Sequence, residues 1–251
     1  MWHLWRRSSA TVLMAAFLAV ALGGPATSAE VSPTTLLDAE EAKPWRGVGR
    51  VNIANVRQRS MCTGTLIAPD LVLTAAHCVT HPRTNTPFPP GNVHFVAGWY
   101  QGKSTGHARA DAVAIHPGWQ GRQNMRLEGL ESDLALIRLR APLDAAAGIP
   151  FAITIPPLPG EPLTLISYRR DRPHALTHQP DCPYRAIIGQ MLELECPVTY
   201  GASGAPVFSL ADGTPRVVAV LSAMGGRGAA QAFAVRADRV IEELKALLPT
   251  P

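Results

Sequence analysis

With 251 residues, 47% of them apolar and only 17% charged, the chain can bury a large core as one domain or two small packed ones, and disorder is excluded. A formal net charge of +4, from 23 Lys and Arg against 19 Asp and Glu, is too small to argue for nucleic acid or a strongly acidic partner. The 21 Gly and 23 Pro cut the chain into short pieces, as in an all-β protein with many turns.

The first 29 residues read as an export signal. Arg6 and Arg7 precede an apolar run over residues 10–22, and Pro25-Ala26-Thr27-Ser28-Ala29 supplies small residues for cleavage after Ala29. The run is shorter than the roughly 20 residues of a membrane span, so no stable membrane anchor is expected and the mature protein is expected to be secreted or periplasmic. Loss of the two arginines leaves a charge of +2. Residues 30–44, with Pro33, Pro44 and a cluster of acids, read as an N-terminal arm or short propeptide before a domain spanning residues 45–251.

Short runs of β-branched and apolar residues then recur between turns. Residues 48–53 alternate as a half-buried strand does, and 65–67 and 71–74 flank a tight turn at Ala68-Pro69-Asp70. Residues 93–97, 112–115 and 134–139 complete a first set, about 45–142. A Pro- and Ala-rich crossing over 141–160 leads to a second set, about 150–236, with strands at 163–168, 185–188, 191–195, 205–208, 217–221 and 231–235. In residues 237–248, Val240, Ile241, Leu244, Leu247 and Leu248 fall on one helical face. Two sets of about six short strands and a terminal helix suggest two small antiparallel barrels.

An oxidising compartment makes disulfides the expected state of Cys62, Cys78, Cys182 and Cys196. Four cysteines permit three connectivities. Cys62–Cys78 and Cys182–Cys196 are favoured because each closes a short local loop, worth about 3 kcal/mol on a chain-entropy argument. A zinc site using Cys78 and the adjacent His77 is the alternative, but neither pair has the close C-x-x-C spacing of a structural site.

Three segments carry chemistry together: Leu73-Thr74-Ala75-Ala76-His77-Cys78, Ser132-Asp133-Leu134-Ala135-Leu136-Ile137, and Tyr200-Gly201-Ala202-Ser203-Gly204-Ala205-Pro206-Val207. Singly, each reads as a strand end or a turn. Jointly they supply what acyl transfer needs. A serine hydroxyl is a weak nucleophile until an imidazole takes its proton. The imidazole needs a carboxylate to fix its tautomer. Small residues around the serine let backbone N–H groups reach an oxyanion.

From about Trp45 to the terminal helix, the sequence resembles the chymotrypsin–trypsin family of serine proteases, including its bacterial secreted members. Cys62-Thr63-Gly64-Thr65-Leu66-Ile67 with Thr74-Ala75-Ala76-His77-Cys78 is similar to the family's first disulfide around its histidine motif. Ile115-His116-Pro117-Gly118-Trp119 is similar to the strand before the catalytic loop, and Asp133-Leu134-Ala135-Leu136-Ile137 to the aspartate motif. The resemblance implies an all-β fold of two six-stranded antiparallel barrels with the site between them. It also implies a secreted serine endopeptidase that cleaves protein or peptide substrates and needs no cofactor or metal. His77 would be general base and then acid, Asp133 its orienting group, and Ser203 the acyl-enzyme residue. The N–H groups of Gly201 and Ser203 would bind the oxyanion, and Pro197, Val198, Ser222 and Met224 would line the specificity pocket.

The sequence departs from the family in two places. Many members carry an aspartate before the serine, which in animal digestive enzymes pairs with a new N-terminal ammonium to build the oxyanion hole. Here that residue is Ala202, which implies a site formed without that ion pair. At the aspartate position of trypsin-like members stands Pro197, and Leu221 replaces the histidine of glutamate-specific ones. An apolar pocket taking small or medium apolar residues is therefore expected. Two other readings compete: an inactive protease fold used for binding, and an esterase or lipase. The latter needs a G-x-S-x-G elbow, whereas Ala205 occupies the second glycine's place.

Overall fold

The computed structural model describes Trp2 and residues 33–54, 59–121, 126–225 and 231–250. The expected signal segment, Trp2 apart, lies outside the described residues. The chain divides into two units, Met1–Glu30 and Val31–Pro251, and the elements below all belong to the second. In chain order they are β1 (Thr35–Leu36), β2 (Val48–Ala54), β3 (Arg59–Ala68), β4 (Leu71–Thr74), α1 (Ala76–Val79), β5 (Val93–Ala97), β6 (Gly106–Ile115), α2 (Leu127–Leu130) and β7 (Ala135–Leu139). The second half holds β8 (Pro162–Arg169), β9 (Arg172–Ile188), β10 (Met191–Glu195), β11 (Pro206–Ser209), β12 (Arg216–Met224), β13 (Gln231–Arg236) and α3 (Ile241–Ala246).

Strands β2-β3-β4-β7-β6-β5 close into an antiparallel barrel. The period of two sets its interior: along β5, Val93, Phe95 and Ala97 are buried while His94 and Val96 are half-exposed. The second barrel runs β9-β10-β13-β12-β11-β8 and closes through pairing of β8 with β9. Leu163, Leu165, Leu192, Leu194, Ala232 and Ala234 fill it, while neighbouring residues of opposite parity, such as Ile166, Phe208 and Val235, belong to the core shared with the first barrel. Both barrels lack free edges, which removes a route to aggregation.

The two halves are joined around aromatic rings. Phe151, on the crossing, meets Phe208 of β11 with centroids 4.8 Å apart, and Trp45 lies 5.1 Å from Phe208. A parallel bridge between Ile153 and Val217 fastens the crossing to β12. Burying a phenylalanine is worth about 1.5–3 kcal/mol, so these rings weld the linker onto the second barrel.

Three sequence expectations change. The arm at residues 30–44 contributes β1, which pairs with β9 through Thr35 opposite His178 and Leu36 opposite Thr177; Leu37 beyond it is buried. The strand expected at 185–188 is the end of β9, which begins at Arg172. Its early part holds Pro173, Pro180 and Pro183, residues that cannot donate to a ladder and so hide a strand from propensity. The terminal helix is also shorter than residues 237–248, covering Ile241–Ala246. Ala237 N–H donates to Val218 O, and Asp238 pairs with Arg236 at 2.7 Å. These contacts hold that stretch to the barrel.

Candidate active site

His77 sits on α1, a single helical turn that cannot stand alone, since nucleating one turn is unfavourable. Its support is covalent and local. Cys78 is bonded to Cys62 on β3, which clamps the turn to the first barrel, and the fully buried Ala75 and Ala76 let the backbone pack tightly there. Thr80 hydroxyl donates to Ala76 O at 3.0 Å and accepts from Trp119 Nε1 at 3.3 Å. The second disulfide, Cys182–Cys196, lies inside the second barrel. Among the described residues there is no free cysteine. The one grouping of donors among the described residues close enough to hold an ion is Cys62, His77 and Cys78, but its two sulfurs are bonded to each other.

Asp133 heads β7, held by its N–H donating to Leu130 O at 3.0 Å, and is wholly buried. Its carboxylate accepts three hydrogen bonds. His77 Nδ1 lies 2.7 Å from Oδ2, His77 backbone N–H donates to Oδ1 at 2.9 Å, and Ser222 hydroxyl donates to Oδ2 at 2.5 Å. Burial by itself pushes this carboxyl up. The attraction of His77 and the hydrogen bonds from His77 and Ser222 outweigh it and hold Asp133 below the usual carboxylate range. An acceptor at Nδ1 fixes the proton there and leaves Nε2 as the free lone pair of the neutral ring. That Nε2 is buried and has no hydrogen-bond partner among the described residues.

Ser203 lies on the loop before β11 and, with His77, lines two adjoining cavities. The loop needs its glycines. Gly201 has φ +94° and Gly204 φ +79°, both in the left-handed region, and a methyl group on Gly204 would run into Thr63 O and Thr74 Oγ1. Two peptide planes beside the serine are fixed through their carbonyls. Tyr200 O accepts from Arg170 N–H at 2.7 Å and Ala202 O from Ala205 N–H at 2.9 Å. In a trans peptide the N–H points opposite to the C=O, so the N–H groups of Gly201 and Ser203 are turned away from those partners. Neither donates to any group among the described residues.

The larger cavity, about 360 Å³, is lined by His77, Val198, Thr199, Tyr200, Ser203, Leu221, Ser222, Ala223 and Met224. Of the four residues expected to line a specificity pocket, Val198, Ser222 and Met224 line this cavity. Pro197 is exposed and does not line the cavity. Ser222 has a contact that motif reading missed, its hydroxyl reaching Asp133. The smaller cavity, about 160 Å³, extends from Ser203 past Gly201 to Met61, the Cys62–Cys78 bridge and Arg170. Arg169 and Arg170 differ from each other: Arg169 pairs with Asp171 at 3.0 Å, whereas the Arg170 guanidinium lies 5.3 Å over the Tyr200 ring.

The arrangement leaves His77 Nε2 open as a proton acceptor in cavities that Ser203 also lines, with a buried carboxylate at Nδ1 to hold an imidazolium. The Trypsin-like peptidase domain family matches residues 62–220, a span that holds His77, Asp133 and Ser203. The Modular serine protease of Drosophila melanogaster is 35% identical over 100 residues, which cover 37% of this chain and 15% of that protein; the chain therefore matches only a small part of that relative's length. Three solved structures share the fold at low identity. The protease Anisep from Arthrobacter nicotinovorans is 17% identical with a TM-score of 0.62, covering 77% of this chain and 91% of its own. A Glu endopeptidase in complex with MPD is 17% identical with a TM-score of 0.67, covering 85% and 94%. The thermostable serine protease AL20 from an extremophilic microorganism is 18% identical with a TM-score of 0.62, covering 79% and 93%. With more than half of its residues matched by the family and the two-barrel architecture in place, the chain belongs to the trypsin-like peptidases.

Proposed function

We propose that this protein is a serine endopeptidase working outside the cytoplasm, which hydrolyses peptide bonds through an acyl-enzyme on Ser203. His77 takes the serine proton as the hydroxyl attacks the scissile carbonyl and returns it to the leaving amine. Asp133 keeps the imidazole in the required tautomer and stabilises the cation. The N–H groups of Gly201 and Ser203 receive the charge that develops on the carbonyl oxygen. The observation that carries this reading is the His77 ring, tied at Nδ1 to a buried carboxylate, unpartnered at Nε2 and lining the same two cavities as Ser203.

The residue before the scissile bond is small or medium and apolar. In support, Val198, Leu221, Ala223 and Met224 line the larger cavity, and no carboxylate or cationic Lys or Arg is among its lining residues. Export is supported by two disulfides and no free cysteine among the described residues. No helix among them is long and apolar enough to cross a membrane.

A fluorophosphonate probe tests the chemistry. The reading predicts covalent labelling of the protein and none of Ser203→Ala; a folded protein that is not labelled would instead be a binding module with a protease fold. A peptide library tests the pocket, and dominant cleavage after Arg, Lys or Glu would rule out the apolar preference.

A further inference from the structure

Two N–H donors can stabilise a transition state only if their peptide planes are held before substrate arrives. Residue 202 offers only a buried methyl group and cannot anchor the loop through charge. The anchoring comes from the other barrel, through one residue of β3. Thr63 is fully buried. Its backbone N–H donates to Ser203 O at 2.8 Å. Its hydroxyl donates to Gly201 O at 3.0 Å and accepts from Tyr168 N–H at 3.0 Å. A hydroxyl has one proton, and Gly201 O is nearer than Tyr168 O at 3.3 Å. Tyr168 lies two residues before Arg170, whose N–H holds Tyr200 O. Thr63 thus grips the carbonyls of Gly201 and Ser203, on both sides of Ala202, and steadies the strand end that aligns the Gly201 N–H. Its own carbonyl accepts from Thr74 hydroxyl at 2.8 Å, three residues before His77.

We propose that the Thr63 side chain is a positioning residue for the oxyanion hole. In this chain the Gly201 and Ser203 donors are set by a hydroxyl from the first barrel and not by a charge at residue 202. This inference rests on the hydrolytic reading of Ser203. It predicts a transition-state effect that backbone support alone would not produce.

The test compares Thr63→Val with Thr63→Ser in the full protein, using a peptide ester substrate and a peptide boronic acid as tetrahedral analogue. Valine keeps the shape and removes the hydroxyl; serine keeps the hydroxyl. Thr63→Val is expected to lower kcat by about 10- to 100-fold with KM changed by less than about threefold, and to weaken boronate binding by the same factor. Thr63→Ser is expected to retain parental kcat to within about threefold. Where circular dichroism shows Thr63→Val unfolded, Thr63→Ala takes its place with the same expected loss. Parental kcat in a folded Thr63→Val or Thr63→Ala, or an equal loss in Thr63→Ser, overturns the proposal while leaving the Ser203 reading intact. Failure of the parent protein to react with fluorophosphonate overturns both.

Discussion

At Asp133 two opposing effects meet, desolvation of a buried charge and the attraction of His77 with three hydrogen bonds, and the second wins. A carboxyl whose folded value lies below its unfolded value stabilises the protein above the unfolded value, and that stability is lost as pH falls through the folded one. Ser222→Ala removes the shortest of the three bonds. It should cost about 2 kcal/mol at neutral pH, in the range for a bond to a charged group, and the difference from the parent should vanish at acid pH once the carboxyl is protonated. The acid limb of the activity profile should move to higher pH. Urea denaturation at several pH values and kcat/KM against pH measure both effects. Asp133→Asn permits the wrong imidazole tautomer and should lower kcat by about 10⁴ while leaving KM nearly unchanged, as read by steady-state kinetics on one substrate.

Among the elements, α1 is a single turn that cannot hold itself. Four residues long, it depends on the Cys62–Cys78 bridge, which closes a separation of 16 residues. Replacing both cysteines by alanine should cost about 3 kcal/mol, and activity should fall further than stability predicts because the turn carries His77. Thermal melts and kcat on the same preparation separate the two. The motif it carries was legible in the sequence, though its helical turn was not, because the parts are local: small residues, the histidine and a cysteine follow one another directly. The Asp133 and Ser203 motifs were legible for the same reason. What stayed hidden was non-local. Ser222 lies 89 positions from the carboxylate it contacts, and Thr63 lies 138 from Gly201, so no periodicity or spacing connects them. The early part of β9 was hidden for a different reason, its three prolines arguing against the strand that barrel closure nevertheless forms.

For the whole molecule, the site depends on two closed barrels holding their facing loops in register. The N-terminal arm takes part in this, since β1 extends the second barrel through β9 and Leu37 enters the shared core. A protein beginning at Glu30 should therefore be active without further trimming. One beginning at Trp45 should lose about 2–5 kcal/mol, the cost of emptying a buried leucine site, and be no more active. Denaturation and kinetics on the two forms check this, and activity that appears only after cleavage within residues 30–47 would speak against it.

The account stands on an imidazole, a carboxylate and a hydroxyl acting together across the cleft. The most direct measurement is to trap the covalent intermediate by quenching turnover of a peptide ester in acid and mapping the acyl group by mass spectrometry. The expected result is an acyl group on the peptide containing Ser203, absent from His77→Ala. Turnover with no acyl group on that peptide, or acylation that persists in His77→Ala, would contradict it.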